Sequence, residues 1–214
     1  NVNNGGEVID GEGLYLSPGF FDMHIHGGGG SDFMDGTVEA YKNIINSHVM
    51  HGTTSFLPTI LGSSFEEIIK SIKAYISAKH DSGIYGNLLG IHLEGPYVAL
   101  SQAGALPPNY IRDPQYEEYS KIFEAADGNI ARWSFAPELS GAMELCSYLR
   151  ERGVLPSIAH SEADYHIAQK AFDSGCTLIT HLYSSMSTIK RVSGFRVAGV
   201  DGLALGEADV DEVV

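Results

Sequence analysis

The sequence predicts an α/β fold, a parallel β-sheet with helices packed outside it. Short apolar runs rich in β-branched residues recur along the chain, and a longer segment with helical periodicity follows each of the first five. Parallel strands joined by crossover helices produce this alternation. Histidines and a glutamate also recur where these runs end.

The first run is "LYLSPGFFDMHIH" (14–26), which closes on His24 and His26 and gives way to four glycines. Next, "VEAYKNIINSHVMHG" (38–52) sets Ala40, Ile44, Ile45 and Val49 on one helical face. "TSFLPTI" (54–60) reads as the second strand. The amphipathic "SFEEIIKSIKAYISAKH" (64–80) follows, with Phe65, Ile68, Ile69, Ile72 and Ile76 on its apolar face. A strand "NLLGIHLEG" (87–95) precedes a helix over 114–127, and "IARWSFAPE" (130–138) precedes one over 140–152. "LPSIAHS" (155–161) leads to a helix over 163–174 that Gly175 can cap, and "TLITHLY" (177–183) is the sixth strand. Before Ser17, "EVIDGEGLYL" reads as the tail of a small β-structure; after Met186 the pattern weakens into a glycine-rich, acidic stretch. Six parallel strands without closure leave open edges, which proteins avoid. The expectation is a part of a longer protein.

Composition narrows the function. The 214 residues are 43% hydrophobic and 19% charged, as in an ordinary globular domain. A net charge of −14, from 27 acidic and 13 basic side chains, leaves no basic patch for a nucleic-acid or anionic-membrane partner. No apolar run reaches the ~18 residues of a membrane span, and the polar, glycine-rich first residues do not read as a signal peptide. Cys146 and Cys176 form no C-x-x-C pair and read as reduced, buried thiols of a cytoplasmic protein. An anionic ligand gains nothing from the long-range field and must be held by local cations or backbone N–H groups.

Side chains at i and i+2 of a strand point the same way, about 6.5–7 Å apart, so His24 and His26 can converge on one ion. Glu94 ends the third strand ahead of Gly95-Pro96, His160 ends the fifth and His181 the sixth. In parallel α/β folds the carboxyl ends of the strands build the active site. Scattered structural histidines fall on helices and turns, as His48, His51, His80 and His166 do. Three ligands suffice for a catalytic site with an open position for water; the other two leave room for a second ion bridged by Glu94.

"PGFFDMHIHG" resembles the amidohydrolase signature. With "HLEGP", "APE", "AHSEA" and "THLYSSM", the chain resembles the N-acetylglucosamine-6-phosphate deacetylase family over roughly residues 8–200. That resemblance implies a metal-dependent (β/α)8 TIM-type barrel, here missing its last strands, with a small β-sandwich domain built from both termini. Residues 1–16 are then a remnant of the sandwich and 17–214 an incomplete catalytic barrel. It implies hydrolysis of the 2-acetamido group of N-acetylglucosamine-6-phosphate to glucosamine-6-phosphate and acetate. Glu94, His160 and His181 would hold the main divalent ion, zinc or iron, and His24 and His26 a second that some members of the family have and others lack, so that one or two ions are expected. Ser184, Ser185, Arg191 and Ala105 would contact the phosphosugar, and Arg191 would reach the neighbouring subunit's site in a homodimer.

Three departures qualify the match. The family's catalytic aspartate lies on an eighth strand, beyond Val214, so this chain alone is expected to be inactive. Ser184 stands where the family carries an asparagine near the phosphate. The loop that commonly reads K-G-A-H is "AGAL" (103–106) here, so Ala103 and Leu106 supply neither charge nor imidazole. Arg191, three residues before Gly194, remains as the phosphate ligand. A related substrate such as N-acetylgalactosamine-6-phosphate, or a homologue that only binds metal or sugar, are the alternatives. A cyclic amidase would use a carboxylated lysine where this chain has Glu94.

Overall fold

The computed structural model describes residues 10–206 and 212–213. Its centre is one curled parallel sheet whose strands follow sequence order: β1 (Phe20–Ile25), β2 (Thr53–Leu61), β3 (Ile91–Glu94), β4 (Ile130–Phe135), β5 (Leu155–Ile158), β6 (Leu178–Ile179) and a short β7 (Glu212–Val213). Each crossover thus moves to the adjacent strand, which is how the wall of a (β/α) barrel is built. The helices are α1 (Val38–Val49), α2 (Phe65–Ala78), α3 (Tyr116–Ala125), α4 (Ala142–Glu151), α5 (Tyr165–Asp173) and a short α6 (Val200–Gly206).

Local chemistry accounts for these elements. Side-chain oxygens of Thr37, Ser64 and Asp164 accept from the backbone N–H groups of Ala40, Glu67 and Ile167, capping α1, α2 and α5. The apolar faces pack as the periodicity implies: Ile44 and Ile45 of α1, with Ile68 and Ile72 of α2, are buried against the sheet, and Val49, Phe65, Ile69 and Ile76 flank them. Among the described residues, no helix is long and apolar enough to cross a membrane.

The strand bounds differ from the sequence expectation in instructive ways. The first strand begins at Phe20, not Leu14. Among the described residues, 14–19 form no strand pairing, and Leu14, Tyr15 and Leu16 are exposed; Pro18, with no N–H to offer a ladder, interrupts the run. The run 87–95 is split: Asn87–Leu88 pairs with β2, and Gly90 (φ 153°) turns the chain before β3. β4 stops at Phe135, and β5 and β6 are shorter than expected. Lys190–Val192 and Phe195–Val197 form an antiparallel hairpin around Ser193 and Gly194, and α6 follows, where only a weakened pattern was read. Of the expected β-sandwich remnant over 1–16, residues 1–9 lie outside the described residues, and 10–16 form no strand.

Register carries the site. Leu61 is level with Glu94, Glu94 with Ser134, Ser134 with Ser157 and Ile158 with Ile179. The carboxyl ends of β1, β3, β5 and β6 therefore open on one edge of the sheet.

Candidate metal centre

Glu94, the last residue of β3, is the hub. Its side chain is buried, yet both oxygens face imidazoles. Oε1 lies 2.9 Å from His160 Nε2 and 3.0 Å from His181 Nε2; Oε2 lies 3.0 Å from His26 Nε2 and 3.4 Å from His24 Nε2. One carboxylate thus divides two imidazole pairs, giving two three-residue sets, His24–His26–Glu94 and Glu94–His160–His181.

Each histidine is aimed by its own backbone. His24 lies on β1 and His26 just after it. The Gly27–Gly28 segment then pairs back on Ser31–Asp32 through Gly29 and Gly30, both at positive φ. A Cβ on Gly28 would press into the His48 ring, so the glycine run lets the chain turn tightly after the second imidazole. His160 and His181 do not sit on strands. Each follows its strand by two residues at positive φ (47° and 39°), which ends the strand and turns the ring towards Glu94.

The outer nitrogens settle the tautomers. His160 Nδ1 lies 2.7 Å from the Gln102 carbonyl and His181 Nδ1 lies 2.9 Å from the Ser184 carbonyl. A carbonyl only accepts, so each Nδ1 carries a hydrogen, and in the neutral ring each Nε2 turns a lone pair inward. The two Nε2 atoms are 3.2 Å apart, as are those of His24 and His26. Facing lone pairs beside a carboxylate repel unless positive charge lies among them, either as protons or as a cation. Glu94 Oε2 supports the same reading, since it is buried without a hydrogen bond although His26 is within reach. The donor set, one carboxylate and four imidazoles, suits a divalent transition metal.

The electrostatics agree. Burial would raise the Glu94 carboxyl, but the imidazoles of His160 and His181, then of His24 and His26, hold it well below the usual carboxylate range. Burial would lower His181, but its hydrogen bond to Glu94 outweighs this and raises it. The site stabilises positive charge.

The cluster floors a cavity of about 310 Å³. Of the residues expected to touch substrate, Ala105, Ser184 and Ser185 line this cavity, together with Leu61, Gly104 and Leu106. Arg191 does not; it is exposed on the hairpin after β6. Leu106 is buried, packed close to Gly62 and Gly95.

Sequence reasoning missed several supports. Glu138 accepts from the Ser161 hydroxyl (2.7 Å) and the Glu162 N–H (2.5 Å), pinning the loop that carries His160. The Gln102 carbonyl, being backbone, left no side-chain signal. His92 was legible in principle: two residues before Glu94 on β3, it must point into the same interior. It is fully buried, with its ring centroid 5.0 Å from that of His24. Burial, reinforced by the Arg132 cation, holds its imidazolium form well below the ordinary range.

Comparison with known proteins places this geometry. The chain is 35% identical over 193 residues to N-acetylglucosamine-6-phosphate deacetylase of Bacillus subtilis (89% of this chain, 48% of that protein). It is 36% identical over 185 residues to that of Lysinibacillus sphaericus (85% and 47%). It thus spans about half the length of the curated relatives it matches. Among solved structures, the N-acetyl-D-glucosamine-6-phosphate deacetylase of Mycobacterium smegmatis superposes with a TM-score of 0.80 at 30% identity, covering 87% of this chain and 47% of that one. A mutant of that enzyme is solved in complex with N-acetyl-D-glucosamine-6-phosphate, with the same scores. The amidohydrolase family model matches residues 15–212, and that family is generally metal-dependent. With that match running over nearly its whole length, the chain belongs to the amidohydrolase family.

Proposed function

We propose that this chain is the metal-binding part of a deacetylase that hydrolyses the 2-acetamido group of N-acetylglucosamine-6-phosphate, releasing acetate and glucosamine-6-phosphate. The observation that carries the reading is the Glu94 carboxylate divided between two inward-facing imidazole pairs. Glu94, His160 and His181 would hold the main divalent ion, zinc or iron, and His24 and His26 with Glu94 a second. When bound, such a cation supplies Lewis acidity, polarising an amide carbonyl and making water nucleophilic near neutral pH.

The chain's own residues do the rest. Gln102 and Ser184 carbonyls keep the His160 and His181 rings oriented with Nε2 inward. Leu61 and Leu106 narrow the cavity and exclude bulk water from one side of the centre. Ser184, Ser185 and the Ala105 backbone offer hydroxyl and N–H groups at the mouth, where a phosphosugar would be oriented. Arg191 is the phosphate ligand of a homodimer, its exposed hairpin offering the cation to a neighbouring subunit. No proton-transfer step is assigned to the described residues. Residues 17–214 belong to the catalytic domain, and the two buried, free cysteines favour a cytoplasmic protein.

A second reading is a related N-acetylhexosamine phosphate such as N-acetylgalactosamine-6-phosphate, since Leu106 in the cavity wall offers no hydrogen bond with which to select one sugar hydroxyl over another. The test is acetate release by the metal-loaded protein, expressed at its natural full length, from both phosphosugars and from unphosphorylated N-acetylglucosamine. Turnover of the first alone supports the main reading. Absence of acetate from all three would refute it.

A further inference from the structure

Beneath the candidate ligands a chain of buried polar groups crosses the sheet. The Ile25 N–H donates to Thr59 Oγ1 (3.1 Å), which lies 3.2 Å from His92 Nδ1; His92 Nε2 lies 2.7 Å from Ser134 Oγ. Ser134 Oγ is 2.8 Å from Thr180 Oγ1, which is 2.8 Å from Ser157 Oγ; the Ser157 hydroxyl also reaches the Leu178 carbonyl at 3.2 Å. Thr59, His92, Ser134, Ser157 and Thr180 are each 0% exposed. β1 to β5 contribute one member each, and Thr180 directly follows β6. Every candidate ligand therefore has a member of this belt within three residues: Ile25 between His24 and His26, His92 before Glu94, Ser157 before His160 and Thr180 before His181.

Counting hydrogens gives the belt a direction. Each hydroxyl has one hydrogen. Thr59 Oγ1 accepts from Ile25, and among the described residues its own hydrogen has one acceptor in reach, His92 Nδ1. The ring hydrogen of His92 then sits on Nε2 and donates to Ser134. Ser134 donates to Thr180, Thr180 to Ser157, and Ser157 to the Leu178 carbonyl, while Arg132 Nη2 adds a bond to Thr180 (2.9 Å). The opposite direction would leave the Thr59 hydrogen buried without an acceptor, which costs about 1–3 kcal/mol.

We infer that His92 is a positioning residue for the metal centre. Held as the Nε2–H tautomer between Thr59 and Ser134, it ties β1 and β2 to the strands carrying Glu94, His160 and His181. Its ring supports that of His24 (interplanar angle 78°). His92 itself has no nitrogen left for an ion. The inference rests on reading His24, His26 and Glu94 as ligands.

The test uses the zinc-loaded protein at its natural full length. A long-range 15N–1H correlation spectrum of the wild type should show His92 protonated on Nε2 alone. His92→Phe keeps an aromatic ring but removes both nitrogens. It should lose the ion held by His24 and His26, retain the one held by Glu94, His160 and His181, and lower kcat by about 10–100-fold with KM changed by less than about twofold. His92→Gln, whose amide still reaches Ser134, should recover most of the loss. An Nδ1–H tautomer overturns the inference, as does wild-type metal content and kcat in His92→Phe. The spectrum decides even where the Phe variant fails to fold. A wild type without bound metal would overturn the ligand reading instead, leaving the tautomer to judge the belt by itself.

Discussion

Replacing Glu94 by glutamine removes one charge and little else, because the side chains are nearly isosteric and the site is buried. The carboxylate lies among four imidazoles, with both oxygens 2.9–3.4 Å from ring nitrogens. A divalent cation held there lies within about 4 Å of the charge; at an effective dielectric of ~20 the attraction is about 8 kcal/mol, and the cost of keeping the carboxylate desolvated offsets roughly half of it, leaving about 4 kcal/mol. Cation affinity should therefore fall about 10³-fold in Glu94→Gln. Equilibrium dialysis against zinc, with metal read by mass spectrometry, measures this directly. Both sets should weaken together, since they share this residue. A variant that binds zinc within tenfold of wild type would refute the claim that Glu94 joins the two imidazole pairs. A loss confined to one ion would show that the carboxylate serves only one side.

Further outcomes follow from the same geometry. His181→Asn should abolish the ion shared with Glu94 and His160, whereas His24→Ala should lower metal content by one ion and leave that set filled; elemental analysis of both variants checks this. The raised His181 must lose its proton to bind a cation, so affinity for the ion shared with Glu94 and His160 should climb with pH until the raised value is passed and then level off, with up to one proton released from His181, as calorimetry in buffers of different ionisation enthalpy would reveal. In the metal-free protein, His181 adds stability that is full below 6.5 and is lost as pH rises through its raised folded value. Glu94, held low, adds stability that is present above 4.5 and lost as pH falls towards its folded value. Metal-free stability should thus peak between these limits, and urea titrations across pH would show it. Gly27→Ala would press a methyl group into the Ser31 carbonyl and should cost about 1–3 kcal/mol, seen as a lower Tm.

Much of the site was legible because strand geometry is periodic. His24 and His26, two apart, and Glu94, just ahead of the Gly95-Pro96 break, sit where alternation places them. His160 and His181 were found for a reason that proved incomplete. Sequence placed them at strand ends, whereas the structure sets them two residues beyond, at positive φ, a conformation that composition does not announce in a histidine. The helices were read well because Ile44, Ile68 and Ile72 repeat at helical spacing. Residues 14–19 were overread, since apolar Leu14 and Leu16 suggest a strand but find no strand partner among the described residues. The 190–197 hairpin was underread because its strands are three residues each, too short for alternation to show. His92 and the hydroxyls around it escaped because a buried polar belt depends on six strands meeting, and no single segment encodes that.

The most direct test of the central claim is anomalous scattering from crystals of the zinc-loaded protein, recorded on both sides of the zinc edge. The account requires a peak in contact with Glu94 Oε1, His160 Nε2 and His181 Nε2, and a second against Glu94 Oε2, His24 and His26. No peak within reach of Glu94, or one bound elsewhere while these rings keep their present contacts, would contradict it.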